Sequence, residues 1–310
     1  MEKDVLEISE KIEQSFNASD KTFYFAKINI HGNIFKPNLD ELIEEEIPRV
    51  IENAQEIKLK HSTISFTDIN RLNIDGNITI IGHVTNSKKE RLRYKDGTKT
   101  FVASTEHEVA NSAMFIYDLK SEILAFTTAS KISVNSFIDY FTNLLSNDDK
   151  VGKVIIKLIP ENYDIIKEIK SVEKITYIKF SLIHPNPGKR HYNLYKQLVK
   201  DTSSREMEVS FKDDADGLTV KIEEDQIKTD AIKYGVDLVE SGYGEIEMRG
   251  ENYSYIESGK NRRTKKRVSK KKRFNSKTSN KKLSLKGIRT SAAIKKVTEY
   301  INNILSWRIK

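Results

Sequence analysis

The chain has 310 residues, 37% hydrophobic and 32% charged, with a net charge of +8 and no cysteine. That length holds one large or two ordinary domains, and no run approaches the ~18–20 apolar residues of a membrane-spanning helix. Without cysteine, disulfides, thiolate metal centres, iron–sulfur clusters and cysteine nucleophiles are excluded.

The opening MEKDVLEISEKIEQ is charged throughout, so neither a secretory signal nor a transit peptide is expected there. Val5, Ile8, Ile12 and Phe16 recur at helical spacing and predict a short helix. Thr22 to Ile30 reads as a strand. Leu39 to Ala54 reads as an acidic helix, rich in Glu44, Glu45 and Glu46, that Pro48 is expected to interrupt. From Ile57 to Val102 strand signals dominate, with Ile78, Ile80 and Val84 on one face. Arg91 to Tyr94 and Lys99 to Val102 form a hairpin about Asp96–Gly97, a dipeptide suited to the positive φ of a tight turn. Ala113 to Tyr117 and Ile123 to Thr127 are two more strands. Ser133 then caps a helix in which Val134, Phe137, Ile138, Phe141 and Leu144 share a face. The polar run from Ser146 to Asp149 marks the expected domain boundary, giving domains of 1–148 and 149–310.

The second half alternates strand and helix: a strand at Val154 to Ile159, a helix at Asn162 to Ile169, and a strand at Ile175 to Ile183. The two prolines of His184-Pro185-Asn186-Pro187-Gly188 stop sheet pairing. A helix from Arg190 to Val199, a strand holding Met207, Val209 and Phe211, and a loop at Asp213 to Gly217 follow. Ile227, Ala231, Tyr234 and Leu238 mark a helix stopped by Gly242. Two short strands are expected around Ile246 and Tyr255, and a last helix carries Ile294, Val297, Ile301 and Ile304. The expected fold class is α+β in two domains: a β-rich N-terminal domain and a C-terminal domain of alternating strands and helices, with a ferredoxin-like flavour.

The charge is unevenly placed. Residues 260–286 hold 14 Lys or Arg and no acid, while the rest of the chain has 39 basic and 45 acidic residues, a net of −6. A run of like charges repels itself and gains stability from a polyanion. Duplex DNA offers about one phosphate per 1.7 Å of axis, and about six phosphate contacts give a slope of log K against log salt near −5. The candidate DNA-binding residues are Lys260, Arg262, Arg263, Lys265, Lys266, Arg267, Lys270, Lys271, Lys272, Arg273, Lys277, Lys281, Lys282 and Lys286. The tract lies between ordered elements, so it is expected to lie along one surface, and its spacing permits a β-ribbon near its start.

Other constellations are weaker. The six histidines (His31, His61, His83, His107, His184 and His191) show no ligand spacing. Asp213, Asp214 and Asp216 suggest a calcium loop, but Gly217 stands at position five and not six. A metal-dependent nuclease needs convergent carboxylates; Glu122, Asp139, Glu245 and Glu247 are available, without a motif spacing. SGYGE at 241–245 lacks the remainder of a phosphate loop. Tyr253 and Tyr255 stand two apart on one strand, which packing explains more simply than an RNA-recognition sheet. No cofactor and no catalytic residue is indicated.

Three stretches carry a family resemblance: IYDLKSEILAFTTASKISVNSFIDYFTNLL (116–145), VIIKLIPENYDIIKEIKSVEKITYIKFSLIHPNPGKR (154–190) and IKYGVDLVESGYGEIEMRG (232–250). In element order and a few short motifs they resemble the phage-exclusion proteins of the RexA-like and Gop-type family and, more distantly, the DNA-binding subunit of the Kiwa anti-phage system. The resemblance implies a cytoplasmic, prophage-borne protein that binds double-stranded DNA without sequence preference. It also implies a sensor of abortive infection that works as a homodimer beside a membrane-protein partner and does not itself span the membrane. Two alternatives stay open: a nuclease effector, or an interaction protein whose tract docks on an acidic partner or anionic lipid.

Overall fold

Among the described residues of this α+β chain, strand residues outnumber helical ones. The computed structural model describes residues 21–31, 41–74, 76–183, 204, 206–258 and 264–306. In chain order the strands are β1 (Lys21–His31), β2 (Ile57–Lys58), β3 (Thr63–Ile74), β4 (Asn77–Lys88), β5 (Arg91–Asp96), β6 (Lys99–Ser104), β7 (Val109–Asp118) and β8 (Ile123–Phe126). They continue as β9 (Lys153–Leu158), β10 (Lys174–Ile183), β11 (Glu206–Lys212), β12 (Ile222–Glu223), β13 (Gln226–Ile227), β14 (Gly244–Ser258), β15 (Thr264–Asn275) and β16 (Lys282–Leu285). The α-helices are α1 (Ile47–Asn53), α2 (Val134–Ser146), α3 (Asn162–Lys170), α4 (Asp230–Glu240) and α5 (Thr290–Ser306). The expected first helix and the segment from His184 through the Arg190–Val199 helix lie outside the described residues.

The chain divides into two units, one ending at Ile156 and resuming at Lys282, the other spanning Lys157–Lys281. In the first, one sheet runs in the order β16-β1-β8-β7-β4-β3-β2, with β9 also on β1. Phe126 of β8 stacks on Phe137 of α2 with ring centroids 4.1 Å apart, and Phe66, Phe115 and Phe141 meet edge to face. Ser133 caps α2 by accepting a hydrogen bond from the Ser136 amide at 3.2 Å. Pro48 does not break its helix. A π-helical turn at Leu42–Glu46 leads into α1, and Pro48 sits in the first α-helical turn, where its missing N–H costs least.

The last elements depart from the boundary read in the sequence. β16 pairs antiparallel with β1, from Lys21↔Leu285 to Tyr24↔Lys282. α5 buries Ile294, Val297, Ile301 and Ile304. Both belong to the first unit, so its second segment begins inside the basic tract. Pairing between strands so distant in the chain has no local signature, which is why periodicity alone places this segment in the C-terminal domain. No helix among the described residues is long and apolar enough to cross a membrane.

The second unit rests on a sheet in the order β11-β10-β14-β15. Each neighbouring pair is antiparallel, so this sheet lacks the parallel pair of a split βαβ unit. Its core joins Ile178, Phe180, Ile246 and Met248 to Ile232, Val236 and Val239 of α4 and to Ile165 and Ile169 of α3. The two short strands expected around Ile246 and Tyr255 are one 15-residue strand, β14. Gly250, in the middle of β14, allows a close approach. A Cβ there would stand 2.1 Å from Val172 Cγ1 and 2.6 Å from the Lys174 carbonyl oxygen. Gly250→Ala is therefore expected to cost about 1–3 kcal/mol or more through overpacking. The measurement is a lowered urea midpoint at unchanged m-value, and a wild-type midpoint would refute the close approach.

Candidate nucleic-acid interface

Alternation of side chains along a strand decides which residues the sheet of the second unit shows to solvent. Ile178, Phe180, Ile246, Met248 and Phe274 pack into the core. Their odd-numbered neighbours therefore share the opposite, outer face: Tyr177 and Lys179 on β10; Glu247, Arg249, Glu251, Tyr253 and Tyr255 on β14; Arg267, Lys271 and Arg273 on β15. Register sets Lys212, Tyr177, Arg249 and Arg273 in one row across all four strands. Arg249 and Arg273 are direct cross-strand partners, and like charges so opposed are destabilising. An anion bound on this row relieves that repulsion. The Arg249 guanidinium also lies 4.7 Å from the Tyr177 ring centroid, a cation–π contact.

β10 accompanies β14 only as far as Glu251, the partner of Lys174. From Asn252↔Lys270 to Ser258↔Thr264, seven cross-strand pairs join β14 to β15 alone among the described residues. At about 3.3 Å per residue this two-stranded ribbon is roughly 20 Å long. A ribbon of two strands is narrow enough for the ~12 Å major groove of B-DNA.

The candidate residues of the tract fall into distinct groups. Arg267, Lys270, Lys271 and Arg273 are exposed on β15. Lys270 and Lys272 lie on the face opposite Lys271 and Arg273; Lys270 is exposed there, whereas the Lys272 ammonium is 2.6 Å from a Glu168 carboxylate oxygen and donates to Ser171 Oγ at 2.6 Å. Lys277 pairs with Glu245 at 2.9 Å. Lys281 is buried, 3.8 Å from Glu161. Lys282, 5.2 Å from the Tyr24 ring centroid, and Lys286 belong to the first unit and are not on this sheet. Lys265 and Lys266 enter β15 opposite Glu257 and Ile256. Lys260, Arg262 and Arg263 lie outside the described residues.

A family model described as a domain of unknown function (DUF4747) matches residues 21–290. The chain belongs to this DUF4747 family. Comparison with curated proteins and with solved structures returns no match. The DUF4747 match takes in the whole ribbon and the row that crosses the sheet.

Electrostatics separate the committed charges of this DUF4747 chain from the available ones. Burial pushes the Glu245 carboxyl up, but hydrogen bonds from Lys157 and Lys277 outweigh it and hold the group below the usual carboxylate range. Lys212 is raised by its hydrogen bond to Asp214, while the nearby Arg249 charge works against that rise. Lys179 is raised by its hydrogen bond to Glu208. These lysines are partly satisfied within the fold, unlike the exposed row of β15.

The other constellations take plain structural roles. Asp213 Oδ1 accepts from the amides of Ala215 and Asp216 at 2.8 and 3.0 Å, so the aspartate-rich loop is a self-bonded turn. Glu122 is paired with Lys27 in the first unit. Among the described residues no group of three His, Asp or Glu is placed to hold a metal ion. The His184 and His191 pair lies outside the described residues. Sequence reasoning missed Arg249, Tyr177 and Lys212, which stand outside the charge run; only the register of β10, β11 and β14 joins them to it.

Proposed function

We propose that this protein binds double-stranded DNA without sequence preference, gripping phosphates with the β14–β15 hairpin. The observation that carries the reading is the exposure of Arg267, Lys270, Lys271 and Arg273 on one strand, with Arg249 directly opposite Arg273. Cations so arrayed bind phosphate backbone and release its condensed counterions, whatever the base sequence. An anion also removes the cost of the opposed arginines. Following the resemblance of 116–145, 154–190 and 232–250, the biological role is that of a DNA sensor in phage exclusion, acting as a dimer and without catalysis.

The test is fluorescence anisotropy of the full chain with duplexes of equal length and unrelated sequence, between 50 and 200 mM salt. Five phosphate contacts predict a slope of log K against log salt of about −4.5. Affinities for the different sequences are expected to agree within a few-fold. A flat slope, or binding to anionic vesicles with none to DNA, overturns the proposal.

A further inference from the structure

We infer that the outer face beside the ribbon takes unpaired bases, so that the preferred ligand is DNA in which a duplex adjoins a single strand. This rests on the duplex reading above and names the form of DNA that the same site selects. Tyr255 carries the argument. It stands on the outer face of β14, it is 67% exposed, and its cross-strand partner is the exposed Arg267. A tyrosine so exposed buries little of its own apolar ring in the fold and leaves that ring free to be covered by another flat apolar surface.

The surroundings favour a nucleobase as that surface. The Arg267 guanidinium already lies 3.5 Å from the Tyr253 ring centroid, and Arg249 lies over Tyr177. Guanidinium planes and aromatic rings are the two kinds of side chain on which unpaired bases stack, and here they alternate on one sheet face. Tyr253 and Tyr255 are two residues apart on one strand, hence roughly 6.8 Å apart along it. That is about twice the 3.4 Å rise of stacked bases, the spacing left when a ring inserts between neighbours. An open groove of ≈ 630 Å³ runs past Tyr253 and Arg267, lined also by Val172, Lys174, Leu218 and Val220.

The choice of unpaired over paired bases follows from access. In a duplex each base has both faces covered by its neighbours, and a side chain reaches them only by unstacking a step at a cost of a few kcal/mol. At a fork the first unpaired base has one face free. The cations of β15 hold the duplex arm while Tyr255 receives that base.

The experiment compares a blunt duplex, the same duplex with unpaired ten-nucleotide arms, and the single strand, with 2-aminopurine at the first unpaired position. Wild-type protein is expected to bind the fork about 5- to 150-fold more tightly than the blunt duplex, the effect of one stacked base, and to quench the probe. Tyr255→Ala is expected to bring the fork down to the blunt-duplex affinity, lose the quench, and leave blunt-duplex binding unchanged. Tyr255→Phe keeps both. Fork and blunt affinities that are equal in the wild type, or a Tyr255→Ala loss shared equally by both ligands, overturn the inference and leave the duplex reading standing. Absence of blunt-duplex binding overturns the duplex reading itself.

Discussion

Replacing Arg267, Lys270, Lys271 and Arg273 together by glutamine is expected to flatten the slope of log K against log salt by about 3.6 for duplex DNA, or about 0.9 for each phosphate no longer neutralised. The loss of affinity is then itself salt-dependent: it shrinks by about 150-fold between 50 and 200 mM salt. All four side chains are exposed, so the fold is expected to be undisturbed, and removing the charge of Arg273 opposite Arg249 relieves a repulsion. The matched control is Lys272→Gln. Its ammonium is bound to Glu168 and Ser171, so it changes stability but not the slope. A slope that falls equally in the control would mean that net charge, not the exposed row, governs binding. Excising residues 260–286 is a poorer test, because it removes β15 along its pairing with β14 and takes Phe274 from the core.

Which parts of this protein could be read from its sequence follows from how local each signal is. Ser133 and the apolar spacing after it gave α2, because a cap and a 3.6-residue period need only neighbouring residues. The β5–β6 hairpin was legible through Asp96–Gly97, with φ of +55° at Gly97. Lys260 to Lys286 stood out as a charge run, but the run mixes several kinds of lysine. Lys281 is buried and Lys272 is half-buried against Glu168, whereas Lys270, Lys271 and Lys277 are exposed. Only what each lysine packs against separates them, Glu168 of α3 for Lys272 and Glu161 for Lys281, and such contacts are invisible where nearly every position is a cation. The return of β16 to β1 and the row from Lys212 to Arg273 are long-range pairings, which no periodicity encodes.

Lys27→Met is expected to destabilise the first unit by about 3–5 kcal/mol, the cost of leaving a buried charge without its partner. The Lys27 and Glu122 side chains are only 4% and 5% exposed, with 3.0 Å between ammonium and carboxylate, and Lys27 also donates to the Ser121 carbonyl. The pair sits where β1 meets β8: Lys27 is the register partner of Ile123, and Glu122 immediately precedes Ile123. Nearby, burial pushes the Tyr117 phenol well above its ordinary value, with the Glu122 and Asp118 charges adding to the rise. Methionine preserves the length of the lysine stem, so the loss reports the ion pair together with the hydrogen bond to Ser121 rather than lost packing. Urea denaturation reads it as a lowered midpoint. The companion variant Lys27→Met/Glu122→Gln removes both charges and is expected to recover at least half of the loss, because an ion pair replaced as a whole costs far less than one that is broken. If the single variant falls by less than about 1 kcal/mol, the pair does not carry this part of the fold. The salt slope for DNA separates stability from binding: its cations stand on β14 and β15, so folded Lys27→Met protein is expected to keep the wild-type value.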